Sequence, residues 1–341
     1  MQKLALLGLA ALFHASDVTA QQPVVDLGIR LIGESGANVS GALIALIDKD
    51  DRVVTEELSR EDGTRVLRAP PGEYRVRVRR IGYAPFRSDP VVLPHRGVLV
   101  LHLDSRRVAL RTVVVNEKSR CRAMDNETGP LWEEISKALR ASQLTFADLW
   151  SVPRSYVYHS ELSPDGRVLK SDTLVRSIRD QKPFGSPDPG KLAAEGYVRG
   201  NESDGWEYSG PDERVLLSEQ FQATHCFRVT RDRKRRGQVG LAFAPVAGRR
   251  LADIAGTVWV DETSGELQEI TFRYANAGLL STFEAGGVIG FTRLESGAWV
   301  VSQWRLRAPR LRMARENPGI VDAVGYIEDG GGIILSPGSR R

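Results

Sequence analysis

Between Val25 and Val115 the chain is a series of short apolar runs separated by Gly, Asp, Asn and Pro. Leu27, Ile29 and Leu31 alternate with smaller or polar positions, Ala42 to Ile47 is continuously apolar, and Asp62-Gly63 marks a turn. In "PPGEYRVRVRRIGYAP", residues 70 to 85, Tyr74, Val76 and Val78 alternate with Arg75, Arg77 and Arg79. "GVLVLHLDSRRVALRTVVV" supplies closing strands. Six or seven short strands within about 95 residues predict a β-sandwich. Successive side chains of a strand point to opposite faces, so burying Tyr74, Val76 and Val78 sends the three arginines to the other face. The expectation is a solvated outer surface; the alternative is electrostatic contact with lipopolysaccharide or a phosphate-rich polymer.

The pattern changes period near "DNETGPLWEEISKALRAS". Leu131, Ile135 and Leu139 fall at i, i+4 and i+8, with Pro130 in the first turn, which predicts one helix with one buried stripe. Glu133 and Glu134 read as solvated partners of its positive end. From Ser155 strands return in longer hairpins, with turns at Pro164-Asp165-Gly166, Ser264-Gly265 and Ser296-Gly297. These predict an antiparallel meander over about residues 150 to 335, curving into a partial barrel. An outer-membrane barrel is disfavoured, because aromatic-belt candidates are few and the chain ends in "ILSPGSRR". The fold class expected is therefore mainly β: an N-terminal β-sandwich, then one helix and a larger antiparallel sheet domain, with a curved half-barrel as one form of it. The expected divisions are residues 1–20, 21–115 and 121–335.

"SGALIALID", "REDG" and "PPGEYRVRVRRIGYAP" together resemble a transthyretin-like sandwich. Residues 25 to 115 resemble the carboxypeptidase regulatory-like domain, grouped with carbohydrate-binding-like folds. The resemblance implies a sandwich module of exported bacterial proteins more than an activity. "LWEEISKAL", "HCFRV", "RRGQVGLAF" and "DIAGTVWVDETSGELQEITFRYANAG" are similar to the carboxy-terminal part of exported proteins of that group from soil-type bacteria. The hairpin "VWVDETSGELQEITF" more weakly resembles periplasmic lipoprotein-carrier half-barrels, whose concave face holds acyl chains.

Composition narrows the function classes. In 341 residues, 47 basic side chains nearly balance 43 acidic ones, for a net charge of +4, which gives no support to a nucleic-acid binder. Residues 1–20 join Lys3, an apolar run from Leu4 to Phe13 and Val18-Thr19-Ala20, the form of a secretory signal peptide. That run falls short of the ~20 residues needed to span a bilayer, and no later stretch reaches it. Export to a periplasmic or cell-surface location gives Cys121 and Cys226 a meaning, since an even count in an oxidising compartment favours a disulfide; two separate thiols are the alternative.

Catalysis has no motif. The five histidines, His14, His95, His102, His159 and His225, begin neither His-x-x-Glu nor His-Glu-x-x-His, and there is no nucleophile elbow or phosphate-binding glycine loop. No cofactor and no metal are expected. Two groups are candidates for partner contact. Arg231, Arg233, Lys234, Arg235 and Arg236 crowd one loop, either as a solvated hairpin or as a patch for an anionic partner. Trp206, Tyr208, Trp259, Trp299 and Trp304, with Phe272 and Tyr274, either pack a core or line a ligand surface. Three functions follow: a non-catalytic envelope protein with a β-rich domain for a protein or polysaccharide partner; a lipid or lipoprotein carrier; a hydrolase whose histidine and carboxylates converge in a cleft.

Overall fold

A computed structural model describes residues 23–105, 128–148, 154–177, 182–201, 205–283, 285–294, 297, 299–313 and 321–334. The expected signal segment, the expected domain junction and Cys121 lie outside these residues.

The first region holds β1 (Val25–Gly33), β2 (Leu43–Ile47), β3 (Val53–Leu58), β4 (Thr64–Ala69), β5 (Gly72–Arg79), β6 (Phe86–Arg87), β7 (Val91–Leu93) and β8 (Val98–Leu103). One sheet has the order β4-β1-β8 and the other β3-β2-β5-β6, with β7 also on β5. The alternating positions Leu27, Ile29 and Leu31 of β1 meet Ile44, Leu46, Val76 and Val78 of the facing sheet in a common buried core. The expected turn at Asp62-Gly63 forms: the Asp62 carboxylate accepts from the Thr64 N–H at 2.9 Å. Gly63 has φ +74°, and a Cβ there would stand 2.6 Å from the Leu31 carbonyl oxygen, so only glycine fits. The Pro-Gly-x-Tyr motif is equally local, since the Tyr74 hydroxyl donates back to the Pro70 carbonyl at 3.0 Å.

The second region comprises α1 (Gly129–Asp148), β9 (Arg154–Leu162), β10 (Val168–Ser177), α2 (Pro189–Glu195), β11 (Val198–Asn201), β12 (Gly205–Tyr208), α3 (Glu213–Leu217), α4 (Glu219–Thr224), β13 (His225–Thr230), β14 (Gln238–Pro245), β15 (Asp253–Asp261), β16 (Leu267–Ala275), β17 (Gly286–Arg293), β18 (Trp299–Met313) and β19 (Val321–Ile334). Nine of these strands form one sheet in the order β10-β9-β19-β18-β17-β16-β15-β14-β13. Strands β13 to β19 are the expected meander, and the earlier β9–β10 hairpin adds to its last strand. The sheet does not close into a barrel. Leu131, Ile135 and Leu139 of α1 are buried against it with Val215, Leu216 and Phe221 of α3 and α4. The sequence pattern points to α1 alone because α2, α3 and α4 are seven, five and six residues long, too short to show a period. Besides that burial, α3 and α4 are both capped: Asp212 accepts from the Val215 N–H and Ser218 from the Phe221 N–H.

Two expectations are corrected. Glu134 is not a solvated partner of the helix end; it lies beyond the first turn, is buried, and pairs with the equally buried Lys137 at 2.8 Å. The arginine face of β5 is not simply wet either. Arg75, Arg77 and Arg79 are half-buried, and their cross-strand neighbours Ile47, Ala45 and Leu43 are buried. The reason is α1. Leu43 and Leu58 belong to the buried cluster of the second region, and Arg79 shares Glu56 with Arg140 of α1. Strand β2 is apolar on both faces because both faces are covered, one by the sandwich and the other by the second region.

Candidate functional site

The helices cover only part of the nine-stranded sheet. Toward β10 the same face opens into a cleft of about 560 Å³, lined among others by Tyr158, His159, Asp172, Phe184, Trp304 and Asp329. Register places its polar groups. His159 on β9 is directly opposite Asp172 on β10 and Asp329 on β19. Cross-strand partners share a face about 5 Å apart, so the three side chains form one row. His159 Nδ1 lies 2.7 Å from an Asp329 carboxylate oxygen, and both side chains are about half exposed.

The apolar wall comes from farther along the chain. Trp304 on β18 and Phe184, from the segment before α2, pack with ring centroids 5.1 Å apart. Tyr208 closes the wall from β12 and packs on Tyr274 at 5.7 Å; burial alone pushes its hydroxyl pKa up. Successive glycines of the run Gly330-Gly331-Gly332 make room for rings on opposite faces of the sheet, Trp304 on the face of His159 and Asp329, Tyr158 on the other. A Cβ on Gly331 would stand 2.8 Å from the Trp304 indole nitrogen, and one on Gly330 would stand 2.3 Å from the Tyr158 ring. On the face away from His159, Tyr158 donates to Glu328 at 3.0 Å, and Arg307 grips the same carboxylate through two nitrogens. Burial, then the Glu328 hydrogen bond, drives the Tyr158 hydroxyl pKa well up, so it stays a donor.

This arrangement suits a hydroxyl-rich ring: aromatic faces stack on apolar C–H faces while carboxylates and imidazole accept or donate to hydroxyls. The His159–Asp329 pair also has the form of an oriented general base. A nucleophile of the serine type would have to reach His159, and among the described residues no serine, threonine or cysteine side chain hydrogen-bonds to it. No three His, Cys, Asp or Glu side chains among the described residues are placed to hold a metal ion. A second acid–base pair, His225 with Asp253 at 3.1 Å, is sealed, with side chains 1% and 0% exposed. Burial raises the Asp253 carboxyl, but His225 and Arg249 outweigh it and hold its pKa below the ordinary value.

Of the aromatic candidates, Tyr208 and Trp304 meet in the cleft. Trp206 is 52% exposed on its hairpin, Trp299 is buried in the core, and Trp259 donates to Thr271 beneath the Arg235 guanidinium, 4.8 Å from its ring. Phe272 and Tyr274 are core residues. In the basic loop, between β13 and β14, Arg231 pairs with Glu262 and Arg235 with Glu269, while Arg233, Lys234 and Arg236 are exposed. Cys226 Sγ lies 3.4 Å from the Ala244 carbonyl oxygen. The sequence reading missed Asp172, Phe184 and Asp329. No local motif marks them, because the row depends on three strands that are distant in sequence.

No family model matches the chain, and no curated protein matches it significantly. Among solved structures it is similar to the Bacillus anthracis TIE protein, with TM-score 0.22 and 12% identity over 75% of this chain, spanning 46% of that protein's length. A DUF1329 family protein from Desulfovibrio piger gives TM-score 0.24 and 12% identity, covering 61% of this chain and 95% of that one. BcpA, the major pilin subunit of Bacillus cereus, gives TM-score 0.22 and 7% identity, covering 82% of this chain and 92% of that one.

Proposed function

We propose that the chain is an exported, non-catalytic envelope protein whose sandwich serves as a rigid adaptor and whose cleft binds a polysaccharide. The observation that carries this reading is the meeting of Trp304, Phe184 and Tyr208 with the row Asp172, His159 and Asp329 in one open cleft. Export rests on the character of residues 1–20. Binding through an acyl chain has less support, since the apolar face of the sheet that a carrier would offer is taken by α1, α3 and α4.

The test is a titration of the purified protein with a panel of neutral and acidic oligosaccharides, followed by amide NMR shifts and by turnover assays on the same sugars. The expected result is saturable shifts mapping to β9, β18 and β19 without cleavage. Shifts elsewhere, or none, would remove the polysaccharide reading. Cleavage that is lost in His159→Asn would instead establish the hydrolase. Co-purifying lipid seen by native mass spectrometry, displaced from the same cleft, would establish the carrier.

A further inference from the structure

Strand β10 is the edge of the nine-stranded sheet, and its outer side has no strand neighbour among the described residues. Every residue from Val168 to Arg176 is exposed, including Leu174 at 50% and Val175 at 47%. Edge strands of stable monomers are ordinarily blunted by proline, by brevity, by bulges or by charged side chains; β10 carries Lys170, Asp172 and Arg176, the first two 3.5 Å apart, so its charges bear on which register a partner strand can take. Strand β10 is ten residues long and has no proline. Its irregularity, a register shift between Val168 and Lys170, lies at its beginning, so Ser171 to Ser177 pair with β9 without interruption.

That uninterrupted run reads Ser-Asp-Thr-Leu-Val-Arg-Ser. It is self-complementary about Leu174. An antiparallel copy centred there sets Leu174 against its own counterpart, Asp172 against Arg176, and Thr173 against Val175, each of the last two pairs occurring twice by symmetry. Directly opposite side chains on an antiparallel pair share a face, where apolar and opposite-charge pairs stabilise and like charges do the reverse. Moving the centre by one residue loses this match: about Thr173, Lys170 faces Arg176 and Asp172 faces Leu174. About Asp172, two aspartates meet.

We propose that β10 pairs antiparallel with β10 of a second copy about Leu174, joining two nine-stranded sheets through an isologous contact. Asp172 and Arg176 also line the cleft, so pairing would extend the row Asp329–His159–Asp172 to Arg176 of the second copy. The pairing does not depend on what the cleft binds.

Sedimentation velocity of the full chain over a concentration series, without any ligand, tests it. The wild type is expected to dimerise reversibly. Asp172→Arg alone and Arg176→Asp alone each replace two attractive pairs by two repulsive ones and should weaken the dimer about tenfold or more. The combined D172R/R176D chain restores opposite charges and should recover most of the affinity, which a folding defect would not do. Leu174→Cys should cross-link to its own counterpart on mild oxidation, and Leu169→Cys should not. A wild type that stays monomeric, single reversals that leave a dimer unchanged, a double reversal that fails to recover, or equal cross-linking at 169 and 174 would each overturn the proposal.

Discussion

The Glu56 carboxylate, carried by β3 of the sandwich, accepts from Arg140 Nε of helix α1 at 2.7 Å while its other oxygen accepts from Arg79 Nη2 at 3.0 Å. Glu56 is 5% exposed, whereas Arg79 and Arg140 remain 29% and 38% exposed. One buried carboxylate thus ties the two regions together, with Leu43 and Leu58 beside it in the apolar contact.

Glu56→Gln should therefore lower stability by about 2 kcal/mol, less than loss of a fully buried pair, because water reaches both guanidinium groups. The readout is urea unfolding. The wild type should unfold in a single transition, and the variant should separate a sandwich transition from that of the nine-stranded sheet.

Acid should attack the same tie. Burial raises the Glu56 carboxyl, but Arg140 and Arg79 outweigh burial and hold its pKa below 4.5; Asp253, gripped by His225 and Arg249, is held below 3.8. A carboxylate whose folded pKa is depressed binds fewer protons folded than unfolded. Its contribution is whole above the ordinary value and is lost as pH falls through the folded one. Melting temperature should be flat with respect to these two groups near neutrality and drop below about pH 4.5. Glu56→Gln and Asp253→Asn should each start lower and fall less steeply over that acid range.

How far the sequence could be read depended on how local each signal was. Leu27, Ile29 and Leu31 reveal β1 because their alternation lies within a few residues, and Leu131, Ile135 and Leu139 do the same for α1. The fate of Arg79 was not legible, because the covering helix starts 50 residues later and nothing near Arg79 names Arg140 as its neighbour across Glu56. The apolar continuity of Leu43 to Ile47 carried that information, since a strand wet on one face would alternate. In the cleft, Tyr208 and Trp304 stood out as aromatics at strand spacing. The row around His159 did not, because cross-strand register between β9, β10 and β19 exists only once the sheet is assembled.

The triple glycine of β19 should be intolerant to the smallest added side chain. Gly331→Ala pushes a Cβ against the Trp304 indole and the Tyr156 carbonyl oxygen, and Gly330→Ala pushes one into the Tyr158 ring. Each should cost about 1–3 kcal/mol by overpacking. Gly129→Ala, where nothing lies within 4 Å of the added carbon, should be within about 0.5 kcal/mol of wild type. Chemical denaturation of the three variants checks the contrast.

Exported protein should show an intact mass two hydrogens below the fully reduced value, with a single peptide joining Cys121 to Cys226 on digestion without reductant. Reduction should lower stability by on the order of 5 kcal/mol, the chain-entropy value for a loop of roughly 100 residues. Two free thiols on alkylation of the unfolded, unreduced chain would exclude the pairing and with it the support it lends to an oxidising compartment.

Trp206 and Trp304 separate a cleft from mere aromatic exposure. Trp206 is the more accessible ring, 52% exposed, yet stands outside the cleft lining. Trp304 is half-buried, packed on Phe184 and backed by Gly331, so it presents a fixed face beside Asp329 and His159. A fixed ring loses little freedom on binding, whereas an exposed one must be ordered at a cost of about 0.5–1.5 kcal/mol. Affinity for a bound oligosaccharide should therefore fall about tenfold in Trp304→Ala and hardly change in Trp206→Ala. Asp329→Asn should weaken binding less than Trp304→Ala, since an amide still accepts one hydroxyl while giving up the charge-assisted bond. If Trp206→Ala proves the more damaging variant, the sugar is read by the hairpin β11–β12, and the row of Asp172, His159 and Asp329 has no part in recognition.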